Sequence, residues 1–147
     1  MKRVSSKPLL LDVNVLLALA WPNHQFHAAA LRRLATGDQW ATCALTELAF
    51  IRLSSNPAAV TPATNPGQAV ALLKEMLSDS RHCYINELLS PGVPEVSGVF
   101  GKILGHRQVN DVYLLTLAKA SKMRFLTFDS RLESLSNSFE DIEVLRG

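Results

Sequence analysis

The chain has 147 residues, 48% of them apolar, and a formal net charge of +2. That length suits one domain over residues 1–147, the apolar content removes disorder as the default, and the charge is too small to mark a polybasic surface. The two cysteines, Cys43 and Cys83, lie far apart, form no C-x-x-C and join no histidine in zinc spacing, so reduced thiols in a cytoplasmic protein are expected rather than a disulfide.

The first apolar element is LLLDVNVLLALAWPNHQFH, Leu9 to His27, preceded by Met1-Lys2-Arg3 and containing Ala18-Leu19-Ala20. A basic start, an apolar run and an A-x-A triplet are the marks of a secretory signal. Asp12 and Asn14 interrupt the run, and one aspartate at the centre of an inserting helix costs about 2.5–3.5 kcal/mol. The export reading is therefore set aside, and no uninterrupted apolar run is long enough to span a bilayer. Leu9-Leu10-Leu11 instead reads as a short strand buried on both faces, with Asp12 at its carboxyl end.

The next stretch, VNVLLALAW, predicts a buried turn and helix start. Pro22 and Asn23 break it, and the following Ala/Leu/Arg-rich run to Gly37 predicts a helix. Trp40 to Leu45 predicts a second strand. Thr46 reads as an N-cap for a buried helix over Glu47 to Leu53. Residues 54 to 66 hold three prolines and predict a loop that could form a mobile rim. Gln68 to Ser78 predicts a helix, His82 to Ile85 a strand, and Pro94 to Leu104 a short helix weakened by Gly98 and Gly101. Val109 to Ser121 predicts an amphipathic helix with Val112, Leu115 and Lys119 on one stripe and Leu114 and Ala118 beside it. Arg124 to Phe128 and Ile142 to Leu145 predict two last strands. Strands alternate with helices throughout, which predicts an α/β fold with a mostly parallel sheet. Ligands bind such sheets outside the carboxyl ends of the strands.

Four acids fall at that edge. Asp12 follows LLL, Asp129 follows FLTF, Glu47 opens the helix after the second strand, and Asp111 sits near the start of the amphipathic helix. Taken singly, each reads as a turn residue or helix cap. Taken together, they predict a cleft in which crowded carboxylates repel one another unless a cation lies between them. Oxygen-only ligands select Mg²⁺ or Mn²⁺, and phosphodiester hydrolysis is the chemistry such a site suits.

At these positions the chain resembles PIN-domain ribonucleases, and more closely the VapC toxins of type II toxin–antitoxin systems. The matching pieces are LLLDVNVLLAL, NHQFHAAALRRL, TELAFIRL, NDVYLLTLA and FLTFD, in family order along nearly the whole chain. The resemblance implies a three-layer α/β/α fold and Mg²⁺- or Mn²⁺-dependent endoribonuclease activity leaving 5′-phosphate and 3′-hydroxyl ends. It implies that Asp12, Glu47, Asp111 and Asp129 are the catalytic, metal-binding acids, supported by Asn14, Thr46, Asn110 and Thr127. Asn110 stands where Thr or Ser is common, and Val112 where Ala is common. The family also implies a homodimer and a cognate VapB-like antitoxin whose tail covers the site, with RNA as substrate and no membrane partner.

His24 and His27 share a helical face, a spacing that supplies only two metal ligands and reads better as structural. Trp21 and Trp40 read as core or interface residues. If four of the thirteen acids form the cleft, nine remain against fifteen Lys and Arg. Arg52, Lys102, Arg107, Lys119 and Arg131 lie closest in sequence to the acidic motifs, yet no basic run marks an RNA track. Two rivals carry other predictions. A catalytically silent PIN-like module would bind RNA or a protein without cutting. An aspartyl phosphatase or receiver would use Asp12 as phosphoacceptor, but the phosphatase needs D-x-D where this chain has D-V-N.

Overall fold

A computed structural model describes residues 7–102, 105–135 and 142–147. Residues 103 and 104, at the end of the helix predicted from Pro94, lie outside the described residues, as do Met1 to Arg3 and the side chain of Lys102.

Leu9–Leu11 forms strand β1, and all three side chains are fully buried. Each such leucine contributes about 1.5–3 kcal/mol on leaving water, which offsets the burial of the aspartate that follows. Helix α1 spans Val13–Ala20 and α2 spans His27–Leu34. Gly37, at φ +91°, makes the left-handed turn from α2 toward the sheet, where a side chain would be strained. Strand β2 is Trp40–Cys43, helix α3 Ala44–Ser54, helix α4 Pro66–Leu77 and strand β3 His82–Ile85. A short helix α5, Pro94–Ser97, passes into a 3₁₀ turn over Gly98–Lys102. A second 3₁₀ turn, His106–Gln108, leads into helix α6, Val109–Ala120. Strands β4, Arg124–Thr127, and β5, Ile142–Val144, complete the sheet.

The five strands are all parallel, in the order β3-β2-β1-β4-β5. The chain therefore winds outward from β1 in one direction, then returns to the other side of β1 with β4. Right-handed crossovers that advance in opposite directions must cover opposite faces. Accordingly α1 to α4 pack with Leu9, Leu11, Trp40 and Leu126 on one face. Helix α6 packs with Leu10, Ala41, Cys43 and Phe125 on the other. The reversal falls between β1 and β4, the place where doubly wound sheets open a crevice.

Three local expectations are corrected. Helix α3 starts two residues before Thr46. Cys43 is its N-cap, and Thr46 is the third helical residue of a capping box, its hydroxyl accepting from Cys43 N at 3.1 Å. Helix α4 begins at Pro66 because Asn65 caps it, accepting from Gln68 N at 2.8 Å. The buried face of α6 is Val112, Tyr113, Leu114, Leu117 and Ala118, while Lys119 is exposed. The buried face keeps Val112, Leu114 and Ala118 and leaves out Lys119, as α6 packs on β4 and β1. The 54–66 loop carries two long-reaching hydrogen bonds. Asn23 Nδ2 donates to Thr61 O at 2.9 Å, and Thr64 N donates to Ser54 O at 3.0 Å.

Candidate active site

The carboxyl ends of β1 and β4 carry Asp12 and Asp129. The backbone N–H of Asp12 continues the ladder by donating to Leu126 O at 2.9 Å, which seats the residue at the crevice. Asp12 occupies the N-cap position of α1, but its side chain makes no capping bond. It is buried, with 4% of its surface exposed, and its Oδ2 accepts from Thr127 Oγ1 at 2.7 Å. The same threonine oxygen accepts from Asp129 N at 3.1 Å. One hydroxyl thus spaces the two acids.

Burial pushes the Asp12 carboxyl above its usual range. The Thr127 hydroxyl and the Val13 amide oppose that rise, and Asp129 adds to it. Asp111, on the first turn of α6, is pushed up to about 6 by burial and then by the charges of Asp12 and Asp129, with Arg131 opposing. Asp129 goes the other way. Arg131 forks onto it, Nε to Oδ1 at 2.9 Å and Nη2 to Oδ2 at 2.8 Å, and holds it below the ordinary carboxylate range. Three of the four acids named from the sequence therefore sense one another.

Glu47 is held by a different set of bonds. Its Oε2 accepts from Thr42 Oγ1 at 2.6 Å, and that oxygen lies 2.8 Å from His82 Nε2. The hydroxyl has one proton, which goes to the carboxylate, so the imidazole Nε2–H donates to the hydroxyl. This line of bonds ties the first turn of α3 to β2 and β3. Burial lowers the His82 pKa, while Glu47 and Asp79 raise it.

The supporting residues divide in the same way. Thr127 touches two acids. Thr46 is buried and spends its hydroxyl on Cys43, donating to its carbonyl at 3.0 Å. Asn14 is exposed on α1. Asn110 lines an apolar cavity of about 550 Å³ with Leu45, Leu88, Phe100 and Tyr113. His24 Nδ1 accepts from Phe26 N at 3.1 Å, and His27 Nδ1 donates to Ala18 O at 2.6 Å. Both histidines thus serve the α1–α2 connection. Trp40 is buried against His82, and Trp21 Nε1 donates to Ser54 Oγ at 3.2 Å.

Among the described residues, no three His, Cys, Asp or Glu side chains are gathered in ready-made ligand geometry. The donor set nevertheless fits a hard divalent cation. Asp12, Asp111 and Asp129 offer oxygen only, two of them have raised proton affinity from burial and crowding, and the cation paired with Asp129 is the exposed Arg131. Sequence reading placed Arg131 only as a nearby base. It did not single out Thr42 or His82, whose contact spans forty positions.

The family model of the PIN domain matches residues 9–137. Ribonuclease VapC39 of Mycobacterium tuberculosis is 40% identical over 92% of this chain and 98% of its own. Ribonuclease VapC38 of the same organism is 38% identical over 86% of this chain and 89% of its own. VapBC2 from Rickettsia felis, solved bound to a DNA fragment from its promoter, superposes with a TM-score of 0.59 at 15% identity, over 94% of this chain and 98% of that one. The last likeness concerns the fold alone. With a family model matched along most of the chain and relatives similar along nearly their whole length, this chain belongs to the VapC family of PIN-domain proteins.

Proposed function

We propose that this protein is an RNA-cleaving hydrolase, a metal-dependent endoribonuclease that serves as the toxin of a type II toxin–antitoxin pair. The observation that carries the reading is the trio Asp12, Asp111 and Asp129 at the β1/β4 crevice, two of its members driven toward protonation by their surroundings. Asp12, Asp111 and Asp129 would hold Mg²⁺ or Mn²⁺, with Glu47 contributing from the rim. The bound ion would supply an activated water and neutralise charge on the phosphate.

The chain's own residues do the rest. Thr127 holds the Asp12 carboxylate toward the crevice and fixes the backbone of Asp129. Arg131 neutralises Asp129 in the free protein and is exposed enough to meet an incoming anion. Asp111, pushed up to about 6 while no cation lies between the acids, would give up its proton as the ion binds. The partners that accompany this reading are a VapB-like antitoxin and a second copy of the chain, acting in the cytoplasm. No helix among the described residues is long and apolar enough to cross a membrane.

The test is to incubate the purified protein with RNA in Mn²⁺ or in EDTA, and to map new 5′-phosphate ends beside an Asp12→Asn variant. Cleavage by the wild type in Mn²⁺ alone is expected. Equal cleavage by both proteins overturns the assignment of the acids. RNA that is bound but left whole by the wild type favours the silent-module reading.

A further inference from the structure

Besides the apolar cavity, the structure holds a second one of different chemistry, sharing none of its lining residues. It has a volume of about 310 Å³ and is lined by Gly105, His106, Arg107, Gln108 and Arg131. Two guanidinium groups and an imidazole line it, and none of its described lining residues is acidic. The described lining of the apolar cavity, by contrast, holds no charged residue.

Both walls are tied to the trio. Residues 105 to 108 run directly into α6, which carries Asp111, and Arg131 follows Asp129 by two positions. Whatever fills this cavity therefore sits beside whatever the three acids hold. Arg107 is exposed and makes no ion pair or hydrogen bond with any described residue. Arg131 uses a planar two-donor fork on Asp129, with its side chain 74% exposed. That fork matches a phosphate as well as it matches a carboxylate.

Resting on the ribonuclease reading, we infer that this cavity is a subsite for a backbone phosphate of the RNA, next to the one presented to the acids, gripped by Arg107 and by Arg131 as its fork passes from Asp129 to a phosphate oxygen. Repeating phosphates suit this arrangement because a strand laid across the crevice offers one to the acids and the next to the arginines. The contact reads the backbone and carries no base preference. An acidic peptide is the competing occupant. It lacks the fixed repeat that couples the two positions.

The test uses the full chain and a labelled single-stranded RNA in EDTA, with binding followed by fluorescence anisotropy across a range of salt. Arg107→Gln and Arg131→Gln are each expected to weaken binding about 5–20-fold and to flatten the salt slope by roughly 0.7, the value for one phosphate contact on a single strand. Arg107→Lys should recover most of the slope. Arg52→Gln, on the exposed side of α3, should change neither quantity. In Mn²⁺, Arg107→Gln should raise KM with kcat within about twofold, as for lost uniform binding.

Wild-type affinity and slope in Arg107→Gln overturn the subsite while leaving the ribonuclease reading standing, provided the wild type cleaves. Loss of affinity for an acidic peptide, with RNA binding intact, overturns it in favour of a protein ligand. A wild-type protein that neither binds nor cleaves RNA overturns the function and the subsite with it.

Discussion

Thr127 donates its hydroxyl proton to Asp12 Oδ2 across 2.7 Å, joining residues 115 positions apart at the ends of neighbouring strands. The bond is buried and the same oxygen accepts from the Asp129 amide, so Val at this position strands two polar groups at once. Thr127→Val is expected to cost about 1–3 kcal/mol, the penalty for unsatisfied buried groups. It should also weaken Mn²⁺ binding at neutral pH, because Asp12 loses a bond that favours its charged form. Urea denaturation and calorimetric titration measure the two effects. Thr127→Ser should restore both, and a serine variant as damaged as the valine one would refute the hydrogen-bond account.

The raised pKa of Asp111 has a sign that can be worked out. Its folded value is about 6 against an ordinary 3.8, so protonation favours the folded state. That contribution is complete below the ordinary value and is lost as pH rises through about 6. Metal-free wild-type protein should therefore lose stability between pH 5 and 7 from this group. Asp111→Asn should remove that slope. It should also melt higher at pH 7.5, by roughly 2–4 °C if the gain is about 1 kcal/mol after screening of a half-exposed charge. Thermal melts in EDTA at the two pH values decide it, and a lower melting temperature for the variant counts against mutual repulsion.

Glu47 spends one carboxylate oxygen on Thr42. Glutamine can accept the same hydrogen bond, so Glu47→Gln should fold with a stability change within about 0.5 kcal/mol. Its effect on Mn²⁺ affinity should be smaller than that of Asp12→Asn. Titrations of both variants under one buffer compare them. Equal losses would mean that Glu47 leaves Thr42 and joins the trio when the ion binds.

Away from the site, Arg33 ties α2 to β5. Its Nε donates to Glu143 Oε2, its Nη2 to Glu143 Oε1 at 3.0 Å, and its Nη1 to Asp38 Oδ2 at 2.8 Å. The Arg33 and Asp38 side chains are only 12% and 10% exposed. Removing one partner of such a group leaves uncompensated buried charge, at about 3–5 kcal/mol. Arg124 still reaches Glu143 at 3.2 Å, so Arg33→Met is expected to lose about 2–4 kcal/mol, toward the lower end of that penalty. Chemical denaturation checks this, and Arg33→Met with Glu143→Gln should recover part of the loss.

What the sequence made legible was whatever periodicity and strand ends encode. Leu9 to Leu11 is apolar without alternation because β1 is central and covered on both faces, so Asp12 could be placed at its tip. The same reasoning located Asp129 after FLTF and Asp111 on α6. Side-chain direction was not legible. Glu47 has the right place in the chain, yet it turns to Thr42 because a buried hydroxyl with an imidazole behind it offers a bond that α3 alone does not reveal. Asn14 follows Asp12 by two residues and is exposed on the first turn of α1. The capping role of Cys43 was hidden for a related reason. Sulfur is a weak acceptor, and the reciprocal bond from Thr46 reveals the box only in three dimensions.

The strand order has a consequence for the timing of synthesis. β1 is made early and β2 follows beside it, but its other neighbour, β4, comes only after α6. Until Arg124–Thr127 leaves the ribosome, one side of β1 is an unpaired edge and Asp12 has neither Thr127 nor Asp129 near it. A nascent or prematurely ended chain therefore has no complete acid trio, and its apolar Leu9–Leu11 edge is open to mispairing. For a protein that would cut RNA, assembling the site from the two ends of the sheet's history keeps the cutting function out of unfinished chains.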